Sequence, residues 1–239
     1  GTVHDGDITG SVFGDDSTVL VDGVNNKIVG AVDTTSLTVS STNVAIGNSA
    51  GETSQGTESV AIGLLAGKLN QGSQTIAIGS EAGRDDQGAN GIALGHESGL
   101  ADQAEFGIAI GEKAGRINQG IRGIGIGRSS GQTNQGTKAV AIGDAAGYAT
   151  QGANAIAIGE KAGETNQAAN SIVINATGTE TNNTTASSLV ITPIRSAVGT
   201  TMMMYDAGTG EVTHTASPAI TGDITGSVFA DDSTILVDG

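Results

Sequence analysis

Along the middle of the chain, large and tiny apolar residues alternate in short bursts. Val44-Ala45-Ile46, Val60-Ala61-Ile62, Ile76-Ala77-Ile78 and Ile92-Ala93-Leu94 are the first four, and the pattern runs on to Ile156-Ala157-Ile158. A period of two predicts a short strand with bulky residues on one face and an almost bare opposite face. Every burst stops at a Gly, and polar residues fill the interval to the next burst.

These bursts are parts of one repeat. The Gly that closes each burst falls at positions 47, 63, 79, 95, 111, 127, 143 and 159, a constant step of sixteen. A second Gly follows four positions later, from Gly51 to Gly163, and a Gln eight positions after the first, from Gln55 to Gln167. A ninth, decaying copy begins at Ile172-Val173-Ile174-Asn175. The unit reads [VI]-A-[IL]-G-x-x-[AS]-G-x-x-x-Q-[GA]-x-x-x. The paired glycines (Gly63 with Gly67, Gly79 with Gly83, Gly111 with Gly115) bracket a tight corner that needs positive φ or close backbone approach. The polar residue before each Gln, often Asn or Asp, opens a second turn. A helix is excluded, because a step of sixteen does not keep one helical face and each Gly would cost roughly 1 kcal/mol.

A strand-corner-strand-corner unit of fixed length stacks as a parallel β-solenoid. With coils about 4.8 Å apart, eight of them span on the order of 38 Å. So thin a coil encloses little, and Ala suits its interior. The large column then has no home inside one chain: Val60, Ile62, Ile76, Ile78, Ile92, Leu94, Ile108, Ile110, Ile124, Ile126, Val140, Ile142, Ile156 and Ile158. The economical solution buries it between chains in a threefold bundle. The column that includes Gln71, Gln87 and Gln119 either forms a ladder of amides along the axis or bonds its own corners.

The flanks are of a different kind. Residues 6–23 (GDITGSVFGDDSTVLVDG) and 222–239 (GDITGSVFADDSTILVDG) match at 16 of 18 positions. Thr18 to Val21, the turn at Asp22-Gly23 and Val24 to Val29 read as strand, turn, strand. Further on, 189–192, 202–205 and 211–213 read as strands, with a turn at 206–210 and Pro193 barring its surroundings from a central ladder. The expected organisation is a β-rich module over 1–42, the repeat roll over 43–175, a β-rich connector over 176–218, and the start of a second copy of the first module over 219–239. The whole is read as a piece of a longer protein.

Composition narrows the chemistry. The chain has 239 residues with 39 Gly, 2 Pro and 2% aromatics, so its core is not an ordinary globular one. Almost no Pro and no triplet Gly period exclude collagen. A formal charge of −15 argues against nucleic acid and anionic membrane surfaces, and no apolar run approaches the ~20 residues of a membrane helix. There is no Cys, hence no disulfide or thiolate metal site. His4, His96 and His214 lack metal-ligand spacing, and His96 falls at a variable outer position. The acid pairs Asp15-Asp16, Asp85-Asp86 and Asp231-Asp232 read as solvated turns, since they do not recur in register as a calcium roll requires. Phe106 and Tyr148 protrude from single repeats, and Leu64, Leu65 and Leu69 make the most apolar local patch. No catalytic constellation, cofactor motif or metal set is expected, so the chain is read as a non-enzyme.

Segments such as Ser59-Val60-Ala61-Ile62-Gly63 and Asn154-Ala155-Ile156-Ala157-Ile158-Gly159 resemble the head repeat of trimeric autotransporter adhesins. That resemblance implies a left-handed parallel β-roll of three chains, packed on a central apolar column and serving surface adhesion. The GDITGSVF element with Val24-Asn25-Asn26-Lys27-Ile28-Val29-Gly30 resembles modules of virion structural and fibre proteins of marine cyanobacterial phages. The segment 189–213 is similar to the connector that precedes the chaperone of phage tail fibres. The expectation is a homotrimeric fibre segment of a virion, extracellular, partnered by itself, including end to end with further copies, and by a host cell-surface glycan or protein. A bacterial adhesin head is the alternative. An ice-binding solenoid and a tailspike glycosidase stand further off.

Overall fold

The structure is a computed structural model that describes residues 12–13, 19–22, 27–28, 42–194, 202–206, 208–215, 228–229 and 235–237. Two units are distinguished, 1–190 and 191–239, and each is taken by itself.

The repeat region is an all-β parallel solenoid of about nine turns. One wall is a ten-stranded parallel sheet. It starts at Val44–Ile46 and proceeds through Val60–Ile62, Ile76–Ile78, Ile92–Leu94, Ile108–Ile110, Ile124–Ile126, Val140–Ile142 and Ile156–Ile158 to Ile172–Asn175 and Leu189–Thr192. Equivalent residues lie side by side: Val60 beside Ile76, Ala61 beside Ala77, Ile62 beside Ile78. The opposite wall is a five-stranded parallel sheet of Ala101–Gln103, Ile117–Gln119, Thr133–Gln135, Ala149–Gln151 and Thr165–Gln167. Towards the N-terminus its line continues as single bridges, Thr53 to Leu69, Leu69 to Asp85 and Asp85 to Ala101.

The interior is filled mainly by small residues and one amide per coil, and Leu100 and Val173 are the larger buried apolar side chains among the described residues. From the second coil on, the middle residue of the burst is buried (Ala61, Ala77, Ala93, Ala109, Ala141, Ala157), as is the [AS] residue of the corner (Ala66, Ala82, Ser98, Ala114, Ser130, Ala146, Ala162), whereas in the first coil Ala45 is exposed and Ala50 half-buried. Corner hydroxyls close on local carbonyls, as Ser98 Oγ does on Gly95 O at 2.9 Å. Gly125 stands where other coils have Ala, and a Cβ there would lie 2.9 Å from Ser130 O.

The corners depend on backbone that L-residues avoid. Gly63 has φ +133°, and a Cβ on it would sit 2.4 Å from Gly79 O of the next coil. Gly67 has φ +52°, and its missing Cβ leaves room for the Gln71 amide, 2.6 Å from where that atom would be. Each of the eight regular coils also carries three non-Gly residues in the left-handed region, in the second coil Leu65, Asn70 and Gln74. Asn and Asp accept that conformation most readily, which accounts for their frequency before the Gln. Amides at these positions bond one coil back, as Leu65 N does to Asn48 O at 2.9 Å and Asn70 N to Thr53 O at 3.0 Å.

The coil path continues past 175. Asn183 occupies the Gln position one repeat length beyond Gln167, is 5% exposed, and its carbonyl accepts from Ala168 N at 2.8 Å. The corner of this last turn is rebuilt by buried Asn175, whose Nδ2 donates to Glu160 O (2.7 Å) and Thr179 O (2.6 Å). The expected connector from 176 therefore begins as a further turn of the roll.

Outside the roll, Val12–Phe13, Val19–Asp22 and Lys27–Ile28 form an antiparallel sheet, and Val228–Phe229 pairs with Ile235–Val237. Val12 faces Val21 in the first, and Val228 faces Val237 in the second, so the duplicated segments share one hairpin register. Met202–Asp206 and Glu211–Thr215 pair antiparallel around a turn closed by Asp206 Oδ1, which accepts from Gly208 N at 2.7 Å and Thr209 N at 3.2 Å. His4, Asp15-Asp16 and Asp231-Asp232 lie outside the described residues.

Candidate functional site

The feature left over once the coil is closed is its outer apolar stripe. In every burst the flanking Val or Ile points away from the interior that takes the Ala. Val60, Ile62, Ile78, Ile92, Ile108, Ile110, Ile124, Ile126, Val140 and Ile156 are half-buried by their stacked neighbours. Ile76, Leu94, Ile142 and Ile158 keep 38–40% of their surface exposed. These fourteen side chains form two parallel columns on one wall, and Ile172, Ile174, Leu189 and Ile191 extend the columns. No polar residue interrupts them. Monomeric proteins rarely leave so continuous an apolar strip uncovered.

Behind the stripe runs the second ordered feature. The Gln side chains form an unbroken ladder: Gln71 Nε2 donates to Gln87 Oε1 (3.3 Å), Gln87 to Gln103 (3.0 Å), Gln103 to Gln119 (2.9 Å), Gln119 to Gln135 (3.0 Å), Gln135 to Gln151 (3.1 Å) and Gln151 to Gln167 (3.1 Å). Each Nε2 also donates to a carbonyl of the stripe wall, Gln119 to Ile108 O at 2.8 Å for example. The Gln side chains thus form the ladder along the axis and bond across the coil, and bonds to the adjoining corner are secondary, as from Gln119 Nε2 to Gly123 O at 3.2 Å. The ladder ties the stripe wall to its opposite wall. Gln71 Oε1, at the N-terminal end, is buried without a partner.

The corners beside the stripe carry the charge. Arg84 pairs with Glu81 (2.6 Å) and Asp85 (2.7 Å), and its hydrogen bond to Asp85 is the main cause that raises its pKa, with burial opposing. Arg116 donates to Glu97 at 2.6 Å and holds that carboxyl below its ordinary value, against a smaller effect of burial. Arg128 reaches Asp144 of the next coil at 2.7 Å. Asp86 accepts from Asn70 Nδ2 at 2.8 Å. His96 is exposed, its Nε2 3.5 Å from Glu97 Oε1. Among the described residues no three His, Asp or Glu side chains gather as a metal ion would need.

Comparison with protein-family models, curated proteins and solved structures gives no match for this chain. The stripe and the ladder must therefore speak for themselves. The stripe can associate with another apolar surface and the ladder can stiffen a wall. Three features of this arrangement are absent from the reading of the repeat. The [AS] position is interior, which its restriction to Ala and Ser could have revealed. The three left-handed residues per coil carry no common side chain apart from the Asn and Asp bias. Asn183 continues the Gln column by position alone.

Proposed function

We propose that this chain is a structural fibre segment in which three copies wind about one axis and bury each other's Val/Ile stripe. The observation that carries the proposal is that stripe: two apolar columns along a ten-stranded wall, outside the coil and half-uncovered. Three copies are favoured because three such walls meeting at their edges enclose a prism whose inner faces are all apolar, and cyclic closure leaves no stripe open. The assembly works mechanically. Parallel pairing along the axis, a packed small-residue interior and the amide ladder resist bending, and the chains seal one another.

The owner we favour is a phage virion, with the segment serving as shaft or adhesive spacer outside the cell. The duplicated GDITGSVF hairpins, which share one register, support a modular fibre in which such elements frame the roll. A bacterial adhesin head would use the same roll and differ in its flanks. Neither role requires catalysis or a cofactor. Sedimentation equilibrium of the purified chain tests the assembly: three times the chain mass supports it, and a stable monomer at micromolar concentration removes it. Pull-down on host cell envelopes tests the attachment role separately.

A further inference from the structure

The attachment role proposed above needs a ligand, and a site for one rests on that role and not on the trimer. The chain carries a formal charge of −15, and most of its described cations are neutralised at home. Lys68, Arg84, Lys113, Arg116 and Arg128 each lie 2.6–3.9 Å from a carboxylate. Arg122 and Lys138 have no such partner among the described residues. They stand in one column of the turn that leads into the stripe wall, on consecutive coils about 4.8 Å apart, and both are exposed. Between Glu112 and Glu160 the only acid is Asp144, which Arg128 neutralises at 2.7 Å. This stretch of the roll is a cationic window in an acidic molecule.

The window is ordered before any ligand arrives. Phe106, Arg122 and Lys138 occupy equivalent left-handed positions with φ +59°, +57° and +58°, so their side chains leave the corner from one backbone geometry. Each amide is held by the preceding coil: Phe106 N by Ala89 O at 3.0 Å, Arg122 N by Glu105 O at 3.0 Å and Lys138 N by Ile121 O at 2.9 Å. The Arg122 guanidinium lies over the Phe106 ring, 5.2 Å from its centroid. The ring face attracts the cation and leaves its N–H edges free for a planar oxyanion. Such an edge matches a carboxylate with two parallel hydrogen bonds. Lys138 adds a second charge one coil further on. Ile121, 42% exposed beside Arg122, offers a small apolar surface. Glu105 makes no ion pair among the described residues and bounds the strip at its Phe106 end.

The geometry points to a site for the carboxylates of an acidic polysaccharide. A nucleic acid needs its phosphates neutralised along a track, which Arg122 and Lys138 alone do not supply in a chain of net charge −15. An extended acidic peptide docks by main-chain pairing on an open edge, and the Phe106, Arg122 and Lys138 amides of this corner are already bonded within the roll. A uronate chain needs neither. Its carboxylate takes the Arg122 edge and the Lys138 ammonium, and the apolar face of its ring rests on Ile121. Each contact is weak, and several copies on one particle add through avidity.

Calorimetric titration of the purified chain with oligogalacturonate tests the site, with neutral dextran, poly-glutamate and single-stranded DNA as comparisons. Oligogalacturonate alone is expected to bind, and less tightly as salt rises. Arg122→Lys keeps the charge but removes the two-pronged edge, and it should weaken binding about tenfold, as should Lys138→Ala. Lys113→Ala should leave binding unchanged. Both site variants alter only exposed side-chain ends, and circular dichroism melts check that they fold. Absence of oligogalacturonate binding, binding unmoved by both substitutions, or equal binding of poly-glutamate or DNA overturns the site. So does binding that appears only in a monomeric Ile142→Asp chain, since the strip then belongs to the contact between copies. Pull-down of host envelopes without oligogalacturonate binding overturns the site and leaves the attachment role standing. A chain that binds oligogalacturonate through these residues but fails to pull down envelopes keeps the site and loses the role.

Discussion

Replacing Gln119 by Leu tests whether the buried amides act as a chain of coupled bonds. Gln119 is 1% exposed; it accepts from Gln103 Nε2 at 2.9 Å and donates to Gln135 Oε1 at 3.0 Å. A leucine there would leave two buried groups without a partner, one N–H of Gln103 and the Oε1 of Gln135. Each such orphan costs about 1–3 kcal/mol, so the single substitution should destabilise by about 2–6 kcal/mol. Gln135→Leu alone creates two orphans in the same way, on Gln119 and on Gln151. The double variant Gln119→Leu, Gln135→Leu breaks three rungs yet again leaves only two orphans, on Gln103 and Gln151. At the same cost per orphan, it should fall short of the sum of the single costs by about 2–6 kcal/mol. Urea unfolding followed by circular dichroism supplies the four free energies of the cycle. Distant, independent sites add to within about 0.5 kcal/mol. If these adjacent ones do so too, the amides contribute separately and the ladder is no more than a geometric coincidence.

Other outcomes follow from the stripe, the corners and the surface charges. Ile142 keeps 38% of its surface in the isolated chain, so burial by neighbours is worth roughly 1 kcal/mol per copy; Ile142→Asp replaces that gain with three desolvated carboxylates and should yield folded monomers by sedimentation, as should Ile110→Asp, whereas Lys113→Ala should assemble normally. Equal assembly of all three variants would refute the interface. Gly67→Ala places a Cβ at φ +52° and 2.6 Å from Gln71 Cδ, so it should lower the melting temperature more than any exposed Ala substitution and break the rung to Gln87; an unchanged melt would contradict the corner geometry. The Glu97 carboxyl is held below its ordinary value by Arg116, so its stabilisation is present above that ordinary value and is lost as pH falls through the depressed one. Wild type and Glu97→Gln should therefore differ in melting temperature near neutrality and converge on acidification, and a gap that persists into strong acid would assign the effect to packing instead.

Much of this architecture can be read from the residues because the two walls obey simple rules. Val60-Ala61-Ile62 can bury only its small side in so narrow a coil, which sends the large residues outward. Gly63 and Gly67 announce positive φ. The second wall is harder to read. In Ile117-Asn118-Gln119 the left-handed Asn118 interrupts the alternation, so the triplet lacks the signature of a strand and is revealed by stacking on its neighbours. The last turn is obscured for a related reason. Asn175 and Asn183 replace the Gly and Gln that mark every other coil, and the hydrogen bonds that keep Asn183 on the path belong to the backbone.

The constancy of the winding has a consequence for how such a shaft can change length. Within the regular coils, adding or deleting one residue would throw the interior alanines, the corner glycines and the amides out of phase with everything beyond it. A whole winding, cut at any point and copied, would leave every column intact. Size is therefore quantised: the rod grows or shrinks in steps of about 4.8 Å, like a ruler assembled from identical tiles. The last turn is the exception, since it takes in one extra residue and the wall still gains the strand Leu189–Thr192. Ser188 takes the place of Ser171 one position later than the period would put it, with its carbonyl accepting from Ile172 N at 2.9 Å, and there the tiling stops.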